Sequence, residues 1–195
     1  MPNWCYTNIH FVNEDKKEIE KLHKLIGDWT SKDAMENGFG LTWLGNVVLN
    51  SGIGTINSNP DTDISCRGSI SDYSITEEQL VVVTETAWSP MLEMWVKIVD
   101  KYSPETEIYY TAEELGCEIL CTNDPDVDGK YYLDSWDEEY ECNDCIDEES
   151  LIPILQSYLD TDESEINSLI DLLDDLDDSE LSVHQWEYVN INEWD

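Results

Sequence analysis

Three closely spaced aspartates form the most site-like pattern in the chain. Asp124, Asp126 and Asp128 precede Gly129, as in the first half of an EF-hand calcium loop. The twelfth position of such a loop requires a bidentate glutamate, and here that position is Ser135. The flanking segments also favour strands rather than helices. We therefore interpret Asp128-Gly129 as a hairpin turn and predict no metal site.

Two pairs of cysteines have spacings that could bind zinc. Cys117-x3-Cys121 and Cys142-x2-Cys145 would together supply four thiolates, the ligand number of a structural zinc site. Cys117 and Cys121 would share one face of a predicted strand. The alternative, which we favour, is two buried strand thiols and an unrelated pair in an acidic loop. The sequence leaves zinc open, and we expect no cofactor.

Side chains suited to catalysis are scarce. The chain has three histidines, His10, His23 and His184, and a single arginine, Arg67. It contains no Gly-rich phosphate loop, nucleophile elbow or paired-histidine metal motif. Carboxylates are abundant, but no basic partner marks any pair of them as general acid and base. We therefore predict that the protein is not an enzyme and has no catalytic residues.

The carboxylates are concentrated towards the C-terminal end. The 195 residues carry 45 Asp and Glu against nine Lys and Arg, a formal net charge of −36. Residues 131–195 hold 22 of these acids and no Lys or Arg, which leaves −14 for the preceding 130 residues. Such a segment could be disordered. Its interspersed Leu and Ile residues give it a core to bury, so we predict that it folds.

Charge and composition also limit the partners and the compartment. A strongly anionic protein repels phosphates, so direct binding to nucleic acid or to an anionic membrane is not expected. The N-terminus has no basic stretch followed by an apolar run, and no apolar segment reaches membrane-spanning length. We expect a cytoplasmic protein whose six cysteines are free thiols.

Hydrophobic periodicity predicts an α+β domain over residues 1–134. Helices are predicted at 15–29 and 90–102, the second with Ser89 as N-cap and Pro90 as first residue. The element order predicts a ferredoxin-like antiparallel sheet with both helices on one face. The predicted strands are 4–12, 41–49, 64–73, 79–88, 107–111, 117–122 and 130–134.

Residues 135–195 are predicted to form an acidic, mainly helical extension packed on this domain. A helix over 147–159 must place Pro153 in its first turn or be kinked by it. A second helix is predicted over 162–178, with Thr161 as N-cap. A strand over 183–191 ends the chain.

Three short motifs carry a resemblance to a known family. They are Met1-Pro2-Asn3-Trp4-Cys5, Thr86-Ala87-Trp88-Ser89-Pro90 and Glu113-Glu114-Leu115-Gly116-Cys117. Together they resemble the YubB-like ferredoxin-fold family of phage and plasmid proteins, over roughly residues 1–134. The resemblance implies a ferredoxin-like sandwich and a mobile-element origin. It implies no activity and no site residues, and the acidic extension lies outside it.

Charge spacing in the extension resembles that of a nucleic acid. A helix over 162–178 would span about 25 Å. Its eight carboxylates would lie roughly 3 Å apart, close to the ~3.4 Å per charge of a single nucleic-acid strand. The predicted partner-binding residues are Asp137, Glu138, Glu139, Glu141, Asp162, Glu163, Glu165, Asp171, Asp174, Asp175, Asp177, Asp178 and Glu180.

The leading hypothesis is a phage or mobile-element inhibitor of a host defence protein. Its acidic extension would imitate a phosphate backbone and occupy a basic nucleic-acid-binding groove, for example on a CRISPR effector or a restriction enzyme. Two alternatives remain. One is an interaction or structural protein whose acidic surface maintains solubility, and the other is a metal-dependent enzyme.

Overall fold

The computed structural model describes residues 3–36, 38–76, 79–136, 140–176 and 179–192. Its architecture is α+β, and the chain divides into two compact units. The first unit is Met1–Asn123 with Val189–Asp195, and the second is Asp124–Tyr188. These units do not coincide with the sequence-based division at residue 134, since the strand that begins at Tyr131 belongs to the second unit.

The first strand and the first helix have the predicted bounds. Strand β1 is Trp4–Val12, and helix α1 is Lys16–Trp29, with Asp15 as its N-cap. The Asp15 carboxylate accepts a hydrogen bond from the Lys17 N–H at 3.0 Å. The following elements of the first unit are α2 (Leu44–Ser51), β2 (Gly68–Ile75), β3 (Gln79–Ala87), α3 (Leu92–Tyr102), β4 (Glu107–Glu114), a 3-10 turn (Leu115–Cys117) and β5 (Ile119–Thr122).

In the first unit the larger sheet has the strand order β2-β3-β1-β4-β5. The two-residue strand Glu187–Tyr188 of the second unit is β9. The pairs β2–β3, β3–β1, β1–β4 and β4–β5 are all antiparallel. The register places Trp4 opposite Ala87. The start of β1 and the end of β3 therefore meet at the same end of the sheet.

One hydrophobic core joins the helices to a single face of this sheet. Alternate residues of β1 are buried, and Phe11 of β1 contacts Trp95 of α3 edge to face at 5.7 Å between ring centroids. Helix α1 contributes Leu22 and Ile26 to the same core. Because side chains alternate across a strand, the residues of β1 that contact this core lie on one face of the sheet.

Two predicted elements of the first unit are wrong in type or position. Residues 41–49, predicted as a strand, contain the start of helix α2, which ends at Gly52 in the left-handed conformation. Buried Asn46 stabilises the segment before α2, since its amide donates to the carbonyls of Gly40 and Leu41. Helix α3 begins at Leu92 rather than at Pro90, with Met91 as N-cap.

The second unit contains a three-stranded antiparallel sheet and two helices. The sheet order is β7-β6-β8, formed by Asn143–Ile146, Tyr131–Ser135 and Leu181–Gln185. Helices α4 (Glu148–Leu159) and α5 (Ile166–Asp174) complete it. The unit has its own core, which includes the fully buried Leu133, Leu151, Leu155 and Leu169. The acidic extension thus contains strands as well as helices.

Helix α4 has the predicted bounds to within one residue, whereas helix α5 is shorter than predicted. Pro153 is the sixth residue of α4, beyond the first turn. Helix α5 begins at Ile166 with Glu165 as N-cap, because the Glu163 carboxylate binds the preceding N–H groups and holds the chain out of helical conformation. The strand predicted over 183–191 is divided into β8 and β9. Among the helices of the described ranges, none has the length and apolarity needed to cross a membrane.

Candidate functional site

Eight of the residues predicted to bind a partner lie in the described part of the second unit. Seven of them are exposed and Glu163 is half-buried. We call this set the acidic surface: Glu141, Asp162, Glu163, Glu165, Asp171, Asp174, Asp175 and Glu180. The other five predicted residues, Asp137, Glu138, Glu139, Asp177 and Asp178, lie outside the described residues.

The charge of the second unit is almost entirely of one sign. Asp124–Tyr188 contains 23 Asp and Glu, with Lys130 as its single Lys or Arg. Within the described ranges, none of the eight carboxylates of the acidic surface forms an ion pair. The salt bridges Lys21–Glu18 and Lys97–Glu93 lie in the first unit. The second unit therefore carries a negative field with little internal compensation.

Helix α5 directs acids away from the core. Ile166, Leu169 and Leu173 are buried on one side of it. At 3.6 residues per turn, Asp171 and Asp175 lie on the opposite side and are neighbours at an i,i+4 spacing. Like charges at this spacing are destabilising, and the carboxylates near the C-terminus of the helix also face the negative end of its dipole.

Some carboxylates of the second unit stabilise local structure. Asp147 accepts a hydrogen bond from the Ser150 N–H at 2.9 Å, which caps α4 and lowers the pKa of its carboxyl group. Glu163 accepts from the N–H groups of Ser164 at 2.7 Å and Glu165 at 3.0 Å, and these bonds lower its pKa. The structure therefore gives Glu163 a role in the chain's own turn.

Asp171, Asp174 and Asp175 have no such role. Among the described residues, their carboxylates accept no hydrogen bond and form no ion pair. All three are exposed. Their charge is therefore available to a partner and is not needed to hold the unit together.

The linear spacing predicted for these charges is wrong. Helix α5 has nine residues and is about 13 Å long, and it contains only Asp171 and Asp174, with Asp175 as its C-cap. Asp162 and Glu163 lie in the loop before it. The acidic surface is thus distributed over loops and a short helix, rather than being a row of eight charges on one axis.

The segment of three aspartates forms a turn rather than a calcium loop or a hairpin. The Asp124 carbonyl accepts hydrogen bonds from the N–H groups of Val127 and Asp128, and its carboxylate accepts one from the Asp126 N–H. The strands on either side, β5 and β6, belong to different sheets, so the predicted hairpin is wrong.

The cysteines are free thiols, and the two predicted pairs lie in different units. Cys117 lies in the 3-10 turn and Cys121 in β5, so they do not share the predicted strand face. Cys145 lies in β7, and Cys142 precedes that strand. No group of three or more His, Cys, Asp or Glu side chains among the described residues is placed to hold a metal ion.

Hydrogen bonds in the first unit join the three motifs that carry the family resemblance, and this meeting was not among the predictions. The Asn3 amide donates to the Cys117 sulfur at 3.5 Å, and the Trp88 N–H donates to the Asn3 carbonyl at 3.0 Å. Thr86 donates its hydroxyl to the Cys5 carbonyl at 3.3 Å. The feature of the sequence that could have indicated this contact is the presence of uncommon residue types in three short motifs.

Two features of the place where the three motifs meet reduce the stability of the fold. Trp88 has a φ of +74°, a conformation that costs about 1–3 kcal/mol for a bulky residue. The Glu114 Oε2 atom is buried and has no hydrogen-bond partner among the described atoms. The nearby Cys117 thiol has a raised pKa, mainly because it donates to Glu114.

Comparisons with known proteins give no relative for the chain. No protein-family model matches it, and neither curated proteins nor solved structures give a significant match. The resemblance to the YubB-like family therefore stays a prediction.

Proposed function

We propose that the protein is a non-enzymatic inhibitor of phage or mobile-element origin that imitates a nucleic-acid backbone. Its acidic surface would occupy the basic nucleic-acid-binding groove of a host protein, such as a CRISPR effector or a restriction enzyme. The observation that carries the proposal is the set of exposed Asp171, Asp174 and Asp175 carboxylates, which have no hydrogen bond or ion pair among the described residues.

Order in the second unit supports this function. A disordered acidic segment would lose conformational entropy when it bound, whereas these carboxylates project from a scaffold with its own core. A field of one sign also steers a cationic partner during diffusional encounter. Binding would release the counterions around the partner's Lys and Arg side chains, as nucleic acid does.

Segregation of charge favours a binding role over a purely solubilising one. The first unit carries eight of the nine Lys and Arg and 22 acids, whereas the second carries 23 acids and one Lys. Solubility alone does not require the cations to be confined to one unit. The acids at the C-terminal end of α5 also reduce its stability, which is consistent with selection for their charge.

The first unit supports the proposed origin. The strand order β2-β3-β1-β4, with antiparallel neighbours and with α1 and α3 on one core, is a reason to propose a ferredoxin-like topology, which the YubB-like resemblance also implies. Helix α2 and strand β5 would then be additions to that topology. The meeting of the three motifs at one end of the sheet is consistent with a family feature.

A capture experiment tests the proposal. The tagged full-length protein is incubated with a bacterial lysate at low salt, and the bound proteins are eluted with duplex DNA or with NaCl. We expect a basic nucleic-acid-binding protein that DNA displaces, and that is lost between about 0.05 and 0.5 M NaCl because exposed charges are screened.

A matched pair of variants locates the interaction. One replaces Asp171, Asp174, Asp175, Asp177 and Asp178 with Asn. The control carries Asp28→Asn, Asp61→Asn, Asp72→Asn, Asp100→Asn and Glu105→Gln, which also remove five charges, all from exposed positions of the first unit. Capture should fail with the first variant and persist with the control. Equal capture by both variants would refute a role for the acidic surface.

A further inference from the structure

A second candidate site lies in the first unit, in a cavity of about 470 Å³. We call it the aromatic pocket. This volume falls within the range of small-molecule sites in proteins. The residues that line it include Trp4, Phe39, Trp43, Asn57, Arg67 and Ser69.

Three aromatic side chains give the aromatic pocket its character. The Phe39 and Trp43 rings lie 5.1 Å apart at an angle of 50°. Phe39 is 67% exposed and Trp4 is 45% exposed. Rings exposed to this extent at the mouth of a cavity offer π-faces on which a planar molecule can stack.

Gly45 makes room for the Trp43 ring. A Cβ atom at this position would overlap with atoms of the ring, so glycine allows the indole to lie against the start of α2. Trp43 also forms an isolated bridge with Ser69, which lies in β2 and lines the same cavity. The aromatic pocket is therefore built on a strand and a helix rather than on loops alone.

Arg67 is the only arginine of the chain, and it lines this cavity. It is exposed, and none of the described carboxylates forms an ion pair with it. In a protein with 45 acids, an arginine without a carboxylate partner in the described ranges is unexpected. Its guanidinium group can bind a carboxylate or a phosphate with two parallel hydrogen bonds.

Residues with strained backbone lie at or next to the aromatic pocket. Asn57, which lines the aromatic pocket, has a φ of +50°, and Trp88, which follows the lining residue Ala87, has a φ of +74°. Non-glycine residues in this conformation are concentrated at ligand sites. Trp88 is the more informative of the two, since Asn tolerates positive φ and Trp does not.

We propose that the aromatic pocket binds a small planar aromatic molecule that carries one anionic group. The ring would stack on Phe39 and Trp43, and the carboxylate or phosphate would pair with Arg67. A free aromatic acid and a mononucleotide share this chemistry. The proposal does not depend on the function of the acidic surface.

Calorimetric titration of the full-length protein tests the proposal with two matched pairs of probes. Indole-3-acetate is compared with neutral indole-3-acetamide, and adenosine 5′-monophosphate with adenosine. We expect at least one anion to bind saturably and about tenfold more tightly than its neutral counterpart, since a hydrogen bond to a charged group contributes on that scale. The pair that shows this difference identifies the source of the ligand.

Variants separate the aromatic pocket from the general charge of the protein. Arg67→Gln should abolish the preference for the anion, whereas Lys24→Gln removes the same charge from an exposed position on α1 and should preserve it. Phe39→Ala should weaken binding of both members of the pair, and its high exposure allows the fold to be retained. The proposal is overturned if neither anion saturates, or if Arg67→Gln binds as the parent does.

Discussion

Burial distinguishes two thiols of the first unit from the others. Cys5 and Cys66 are almost completely buried, and burial raises the pKa of each thiol to about 11. Burial is the largest influence on the pKa of Cys5; a hydrogen bond with Thr7 lowers this pKa by less than burial raises it. Neither thiol is a reactive nucleophile near neutral pH, because only the thiolate reacts.

These pKa values predict a loss of stability in alkaline solution. Between about pH 9 and pH 11 the thiols ionise in the unfolded chain but stay protonated in the folded one. The folded state then binds more protons, so the free energy of unfolding falls as the pH rises, by about 1 kcal/mol per pH unit for each thiol.

Denaturant titrations at several alkaline pH values measure this slope. The Cys66→Ala variant lacks the contribution of Cys66, so its slope should be shallower than that of the parent. Tyrosines and lysines titrate in both proteins and cancel in the comparison. Equal slopes would mean that Cys66 is not protected from ionisation by burial.

Helix α4 contains a proline at a position where other residues would donate a backbone N–H to a helical hydrogen bond. Pro153 is the sixth residue of the helix, so the Glu149 carbonyl lacks its usual partner. Replacing Pro153 with Ala restores this hydrogen bond but increases the entropy of the unfolded chain. We expect a net gain of about 2 kcal/mol in the free energy of unfolding of the second unit.

Chemical denaturation monitored by circular dichroism checks this gain. Ser157→Ala is the control, since it changes an exposed position of the same helix without altering the backbone donors. A loss of stability in Pro153→Ala would show that contacts of the proline ring outweigh the missing hydrogen bond.

Elements with strong periodicity could be predicted from the sequence, and ambiguous ones could not. β1 alternates along its whole length, and α1 combines an Asp cap with a regular apolar face. In contrast, the aliphatic residues of α2 fit a strand equally well, and the hydrogen bonds from the Asn46 amide to the Gly40 and Leu41 carbonyls cannot be predicted from the hydrophobic pattern.

The second unit shows the same limit. Strand β7 is only four residues long and begins with Asn143-Asp144, so its pairing with β6, not its propensity, determines its conformation. For α5, several residues before Ile166 could serve as N-cap. The Glu163 carboxylate accepts hydrogen bonds from the residues that follow it, and the N-cap is Glu165. Charge and exposure of the acidic surface were predictable, whereas the spacing of the charges depended on these local choices.

At the scale of the whole molecule, self-repulsion should limit the stability of the second unit. Its 23 acids face one Lys, so salt should raise its thermal stability by screening. The variant with five Asn should be more stable than the parent at low salt and respond less to added salt. Thermal melts at about 0.05 and 0.5 M NaCl measure both effects.

The control variant of the first unit provides the comparison for these melts. It removes as many charges from a unit with a smaller net charge. Its response to salt should stay close to that of the parent. If both variants changed equally, the repulsion would be a property of the net charge of −36 and not of the second unit.

The most direct test of the phosphate-mimic proposal is displacement of nucleic acid from the captured partner. Labelled duplex DNA is bound to that protein, and its fluorescence anisotropy is followed as the acidic protein is added. We expect the parent and the first-unit control to release the DNA. The variant with Asn at positions 171, 174, 175, 177 and 178 should stay folded but release the DNA only at much higher concentration. Equal release by all three proteins, or no release by the parent, would rule out the phosphate-mimic proposal.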